Sequence, residues 1–124
     1  MLQNILALSL GAVLGAIARF TVTHFSSELS HHHGFPYGTL AVNIVGSFLA
    51  GFVLAYTQRN GHDDIVRIAL VTGFCGAFTT FSAFAYETFD YFRQGALLTA
   101  CINIVANNVL SIGAAAVGVL AVRR

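Results

Sequence analysis

The charged residues of this 124-residue chain are placed so that they leave four long neutral stretches, and that spacing constrains the fold more than any motif does. Residues 1–18 run up to Arg19, and residues 34–58 run up to Arg59. Residues 68–86 lie between Arg67 and Glu87, and residues 94–122 between Arg93 and Arg123. A helix needs roughly 20 mainly apolar residues to cross a bilayer, and these stretches hold 18, 25, 19 and 29. The expectation is an all-α membrane protein, with one transmembrane domain over residues 1–124. Its four spans fall at approximately 2–24, 36–58, 65–92 and 95–122, with short connections.

Composition narrows the classes further. Only 9% of residues are charged, against about 25% in soluble domains, so there is too little charge to coat a globule. That excludes an ordinary soluble enzyme and a disordered chain. Six Arg, five acids and no Lys leave no basic patch for nucleic acid. No Ser/His/Asp grouping, glycine-rich phosphate loop or paired-carboxylate site is present, so no enzyme is expected. Residues 1–18 lack a basic leader, and Arg19 stands where a cleavage site would fall. They read as a retained span rather than a signal peptide.

Gly11 and Gly15 have the small-xxx-small spacing that lets helices approach closely in lipid. Phe25 to Phe35 reads as a polar loop, with His31, His32 and His33 in it as solvated residues rather than metal ligands. Pro36 opens span 2, a favoured place for proline. Cys75 and Cys101 read as buried small apolar residues. With four spans, the N-terminus, the 2–3 loop and the C-terminus share one side, which carries Arg59, Arg67, Arg123 and Arg124. The other side carries Arg19 and Arg93. Four against two is a weak positive-inside bias, so insertion in both orientations and an antiparallel homodimer follow naturally.

Polar residues inside the spans carry the chemistry. Thr39, Asn43 and Ser47 in span 2 are spaced i, i+4, i+8, as are Asn103, Asn107 and Ser111 in span 4. Each set forms a stripe on one helix face. Such groups are costly against lipid, so they face a neighbouring helix or a wet path, and the pattern leaves both open. All are neutral, and hydroxyls and amides can donate hydrogen bonds. Cation paths more typically use acidic rings or converging carbonyls, and a proton-coupled pump wants an embedded acid. Neutral donors suit a small anion.

Span 3 contains Gly73-Phe74-Cys75-Gly76-Ala77-Phe78-Thr79-Thr80-Phe81-Ser82-Ala83-Phe84. Two glycines and a Thr pair near its middle are poor helix formers. A break there is one reading, a small-residue packing seam the other. Broken helices at the midplane recur as ion sites. Phe78, Phe81 and Phe84 recur every three residues. They are either core packing or electropositive ring edges for an anion. Arg19 is an interfacial anchor or a source of positive potential at a vestibule. Glu87 and Asp90 are expected to be solvated, with Arg93 close enough to pair.

Three segments carry a family resemblance. Gly11-Ala12-Val13-Leu14-Gly15-Ala16-Ile17-Ala18-Arg19-Phe20 resembles the first motif of the Fluc (CrcB) fluoride channels. Gly38-Thr39-Leu40-Ala41-Val42-Asn43-Ile44-Val45-Gly46-Ser47-Phe48 resembles the second, and the Gly73–Phe84 segment the third. The resemblance implies passive fluoride efflux through a dual-topology dimer in the bacterial cytoplasmic (inner) membrane. Asn43 matches the pore Asn, Phe81 and Phe84 the pore-lining pair, and Arg19 the motif Arg. Gly76 and Thr79 match the positions whose backbone carbonyls hold a structural, untransported sodium ion at the dimer centre. The family's polar track falls near Asn103, Asn107 and Ser111 in span 4, with Asn103 where an aromatic residue is frequent, and Ser82, Thr39, Thr80, Asn107 and Ser111 complete the expected fluoride path. Two departures are Ala77, where Gly is common, and Ala83, where Thr is common. The implied partners are fluoride, lipid and a second copy of the chain, with no nucleic acid.

Two other readings compete. A small dual-topology multidrug exporter needs an embedded carboxylate, typically in span 1, and residues 1–18 have none. A non-transporting assembly subunit needs only the small-residue seams.

Overall fold

The computed structural model describes residues 1–61 and 64–123, apart from the side chains of His31 and His33. The helices are α1 (Leu2–His33), α2 (Tyr37–Asn60), α3 (Asp64–Arg67), α4 (Gly76–Phe78), α5 (Phe81–Arg93) and α6 (Leu97–Arg123), with a π-helical stretch, Ile68–Cys75, between α3 and α4. Among the described residues there is no strand. Four segments are long and apolar enough to span a membrane: Leu2–Ser30, Tyr37–Asn60, Asp64–Arg93 and Leu97–Arg123. At about 1.5 Å per residue, the 24 residues of α2 reach about 36 Å, enough for a hydrocarbon core of about 30 Å.

The expected loop from Phe25 to Phe35 is instead helix as far as His33. Ser27 and Thr23 turn their hydroxyls onto carbonyls three or four residues back, which satisfies these polar side chains without unwinding the helix. Gly34 ends it in the left-handed conformation (φ 62°) with its N–H on the Ser30 carbonyl, a cap that a residue with a side chain adopts at a cost. The His cluster therefore begins on the last turn of a helix. The charged 2–3 connection follows the same rule, with Gly61 at φ 61°. His62 and Asp63 of that connection, and Arg124, lie outside the described residues.

The interior is rich in polar and small residues, while large apolar side chains crowd the exterior. The largest fully buried side chains are Val42 and Asn103. Thr39, Thr57, Thr80, Thr88 and Asn107 are buried too, whereas Leu10, Leu98 and Ile112 are at least two-thirds exposed. Lipid rewards that arrangement: apolar side chains gain little by packing inward, while polar groups must find partners inside. Small residues make the close packing possible. A Cβ at Gly15 would lie 2.3 Å from the Phe74 carbonyl oxygen, and one at Gly11 would lie 2.0 Å from that of Ala69. These glycines bring α1 to backbone contact with the π-helical stretch. Gly51 and Gly118 do the same between α2 and α6.

Span 3 is the irregular one. After the π-helical turns and the single turn of α4, Thr79 and Thr80 are extended (φ −79°, ψ 162° and φ −150°, ψ 115°) before α5 begins. The expected break is present, at the Thr pair. It also divides the phenylalanine stripe. Phe78 is buried and stacked on Phe74 upstream, with centroids 5.6 Å apart, and only Phe81 and Phe84 remain together downstream. Two extended residues advance the chain without the helical rotation that the spacing assumes.

Of the cysteines, Cys75 is buried as expected, but Cys101 is exposed. It lies two residues from inward-facing Asn103, about 200° around the helix, and so on the opposite face.

Candidate functional site

The break is held open by hydrogen bonds that replace those of a helix. In a continuous helix, the Thr80 N–H would close onto the Gly76 carbonyl and the Ala83 N–H onto that of Thr79. Instead the Thr80 N–H donates to Asn43 Oδ1 at 2.8 Å. The Ala83 N–H donates to Thr80 Oγ1 at 3.2 Å, an N-cap for α5. Two side chains thus release the carbonyls of Gly76 and Thr79, the two positions matched to the metal site. Thr79's carbonyl accepts from Arg19 Nη1 at 3.3 Å. Gly46 makes room for the break, since a Cβ there would lie 2.3 Å from Thr79 Cγ2.

Asn43 grips Thr80 by both backbone groups. Its Nδ2 donates to the Thr80 carbonyl at 3.2 Å and to Asn107 Oδ1 at 2.9 Å. Both amide hydrogens of Asn43 therefore have protein partners. Asn107 Nδ2 in turn donates to Asn103 Oδ1 at 2.8 Å and to the Asn103 carbonyl at 3.2 Å. Asn103 Nδ2 reaches Thr88 Oγ1 at 2.9 Å.

Two cavities meet at Thr80. The larger, of about 1060 Å³, lies where α1 ends, α2 begins and α5 ends. Its walls include Arg19, Thr39, Thr80, Ser82, Glu87 and Asp90. The smaller, of about 240 Å³, is lined by Asn43, Ser47, Thr80, Phe81, Phe84, Asn107 and Ser111 among others. Every residue assigned from sequence to the fluoride path lines one of the two, and Thr80 lines both. Phe81 and Phe84 meet edge to face at 5.5 Å, with Phe81 77% exposed on the single chain. The buried Ser111 hydroxyl has no hydrogen-bond partner among the described residues.

The charged groups divide. Asp90 pairs with Arg93 at 2.8 Å, as expected. Glu87 is not solvated as expected. It is half-buried in the wall of the larger cavity, where Thr39 Oγ1 donates to Oε1 at 2.6 Å. Its Oε2 is buried without a partner among the described residues. The helical period beyond the break turns Glu87 inward. Arg19 also faces this cavity, and its guanidinium reaches the break. Thr88 was not singled out in the sequence, where one Thr in α5 gives no distinguishing signal. Among the described residues no group of three His, Cys, Asp or Glu converges on a common point.

Comparison with known proteins places these observations. A family model described as CrcB-like protein, Camphor Resistance (CrcB), matches residues 6–119. A protein of Koribacter versatilis named fluoride-specific ion channel FluC is 42% identical over 91% of this chain and 90% of its own length. One of the same name from Campylobacter lari is 40% identical over 97% of this chain and 98% of its own. A third, from Legionella pneumophila (strain Lens), is 46% identical over 93% and 86%.

Proposed function

The chain belongs to the CrcB-like family, and from that premise we propose that it forms a fluoride-selective channel giving passive efflux across the bacterial cytoplasmic membrane. The observation that carries the reading is the pair of cavities that share Thr80 in their walls, the larger holding Arg19 alongside Glu87 and Asp90, and the smaller holding neutral donors and rings with no charged side chain. Fluoride is small and strongly hydrated, so donors must replace its water along the way. Arg19 supplies positive potential for an anion where its guanidinium meets the break, while Arg93 balances Asp90 and leaves Glu87 as the opposing charge in these walls. Ser82, within 3.3 Å of Thr80 Oγ1, offers a hydroxyl beside the break. Beyond it, the unpartnered Ser111 hydroxyl and the electropositive edges of Phe81 and Phe84 take over. Asn43 holds the break rather than donating to the ion, because its hydrogens are engaged.

The working unit is an antiparallel homodimer. Phe81 lies largely on the outside of one chain, so a second copy can enclose it and complete the smaller cavity. The released Gly76 and Thr79 carbonyls fit a hard cation, since oxygen donors freed from a broken helix need a positive partner in the membrane. Gly76 is exposed, and so can face a second copy. Thr79's carbonyl has a second lone pair beyond the one used by Arg19. Sodium, when bound, supplies charge that balances these dipoles.

The deciding experiment is ion efflux from liposomes holding the purified protein. Fluoride should leave without a proton gradient, with little chloride movement. Folded protein that passes no fluoride ends the channel reading.

A further inference from the structure

The segment carrying both cavity rings is held at its start by α2, backed by α6, and at its far end by α6 directly. At its start, Thr80 is gripped through both backbone groups by Asn43, which leans on Asn107 of α6. At its far end, the Thr88 hydroxyl accepts from Asn103 of α6 at 2.9 Å and donates to the carbonyl of Phe84 itself at 2.8 Å. Between these ties lie Phe81 and Phe84. Asn103 is fully buried, Thr88 is 7% exposed and Asn107 5%.

The chain of bonds has only one direction. A backbone N–H can only donate and a carbonyl can only accept. The Thr80 N–H therefore demands the Asn43 oxygen, which turns Asn43's NH2 toward Asn107. Asn107's oxygen meets it, so Asn107's NH2 faces the oxygens of Asn103. At the other end, the Thr88 proton is committed to the Phe84 carbonyl, so Thr88 accepts from Asn103 Nδ2. All three amides point consistently from one end of the ring-bearing segment to the other, a cooperative arrangement in a low dielectric.

We infer that Thr88 and Asn103 are a positioning pair for the cavity rings. They set the rotation of the first turns of α5, and with it the edge-to-face placement of Phe81 and Phe84. Neither residue lines the smaller cavity, so they act through Phe84 and not on the ion. The consequence for conduction rests on the channel reading above; the effect on the rings does not.

The test uses the full chain in liposomes and detergent, with a fluorine-labelled phenylalanine placed at position 84. Thr88→Ser keeps the hydroxyl, Thr88→Val removes it at nearly the same shape, and Asn103→Leu removes the cross-helix tie together with the side-chain oxygen that Asn107 uses. The last variant is expected to fold. Thr88 keeps the Phe84 carbonyl and Asn107 Nδ2 keeps the Asn103 backbone carbonyl, so each buried group retains a partner although Asn107 gives up one of its two bonds. Thr88→Ser should match the parent in fluorine spectrum and carry fluoride within about twofold of it. Thr88→Val and Asn103→Leu should shift or broaden the position-84 signal and lower fluoride efflux about tenfold, the scale of one hydrogen bond. An unchanged signal and unchanged efflux in Asn103→Leu overturn the inference. So does an equal loss in Thr88→Ser, because the hydroxyl would then not be the agent. If the parent passes no fluoride, the channel reading fails while the fluorine comparison still decides on the positioning pair.

Discussion

The two cavities that meet at Thr80 are built from different chemistry. The larger has Arg19, Glu87 and Asp90 in its walls, and the smaller has amides, hydroxyls and two phenylalanine rings with no charged side chain among its lining residues. A full charge acts at a distance and does not distinguish one small anion from another. Neutral donors and ring edges act only at short range, so they can discriminate by size and geometry. The division teaches that long-range charge and short-range donation are separated in space, with the extended Thr pair as the boundary. Breaking the boundary should therefore do more harm than altering either side.

Asn43→Leu makes that test. It strips the Thr80 N–H and the Asn107 oxygen of their partner. Two orphaned buried groups cost about 2–6 kcal/mol, so the midpoint of thermal unfolding should drop and fluoride efflux should fall at least about a hundredfold. Retained efflux would mean that the break is held by something else. Next in size are Phe84→Ile and Phe81→Ile, which alter only the smaller cavity. Efflux should fall up to about tenfold with folding and assembly intact, matching the upper end, about 1.5 kcal/mol, of what an aromatic edge adds beyond the area it covers. If both conduct normally, the rings are merely packing.

Much of this division was legible in the sequence. Four spans followed from charge spacing alone, because lipid tolerates so few charges that each one marks a boundary. The break was visible as Gly73, Gly76 and the Thr pair, although its position fell at Thr79–Thr80, where Asn43 supplies a competing bond from another helix. Hydrogen-bond partners were not legible. The spacing of Thr39, Asn43 and Ser47 matches that of Asn103, Asn107 and Ser111, yet Asn43 clamps a backbone, Asn103 ties α6 to α5, and Ser111 has no partner among the described residues. Periodicity shows which residues share a face, not what lies opposite. Glu87 escaped for a related reason: its inward direction depends on how α5 restarts after the break. The helix through Phe25–His33 escaped because a polar composition resembles a loop whenever side chains can bond their own backbone.

A smaller effect separates charge from short-range donation on the larger side. Arg19→Gln removes the charge while leaving an amide donor. Efflux should fall about fivefold at low ionic strength and recover toward the parent near 1 M salt, where the screening length is about 3 Å. A deficit that persists at high salt would instead assign Arg19 to holding the Thr79 carbonyl, its one hydrogen bond to the break.

The smallest effect on efflux is expected at Ser111, and it is the one that most sharpens the contrast. A buried hydroxyl without a partner weakens the fold that contains it, because it gives up water and gains no replacement. Ser111→Ala should therefore leave thermal stability unchanged or raise it, by up to about 1 kcal/mol. If the hydroxyl is kept for the ion, efflux should move the other way, falling about threefold, with the loss softened where water takes the vacated place. Opposite signs in one variant distinguish a group retained for conduction from one retained for packing. A parallel drop in both stability and efflux would remove Ser111 from the path and return the selective surface of the smaller cavity to the two rings alone.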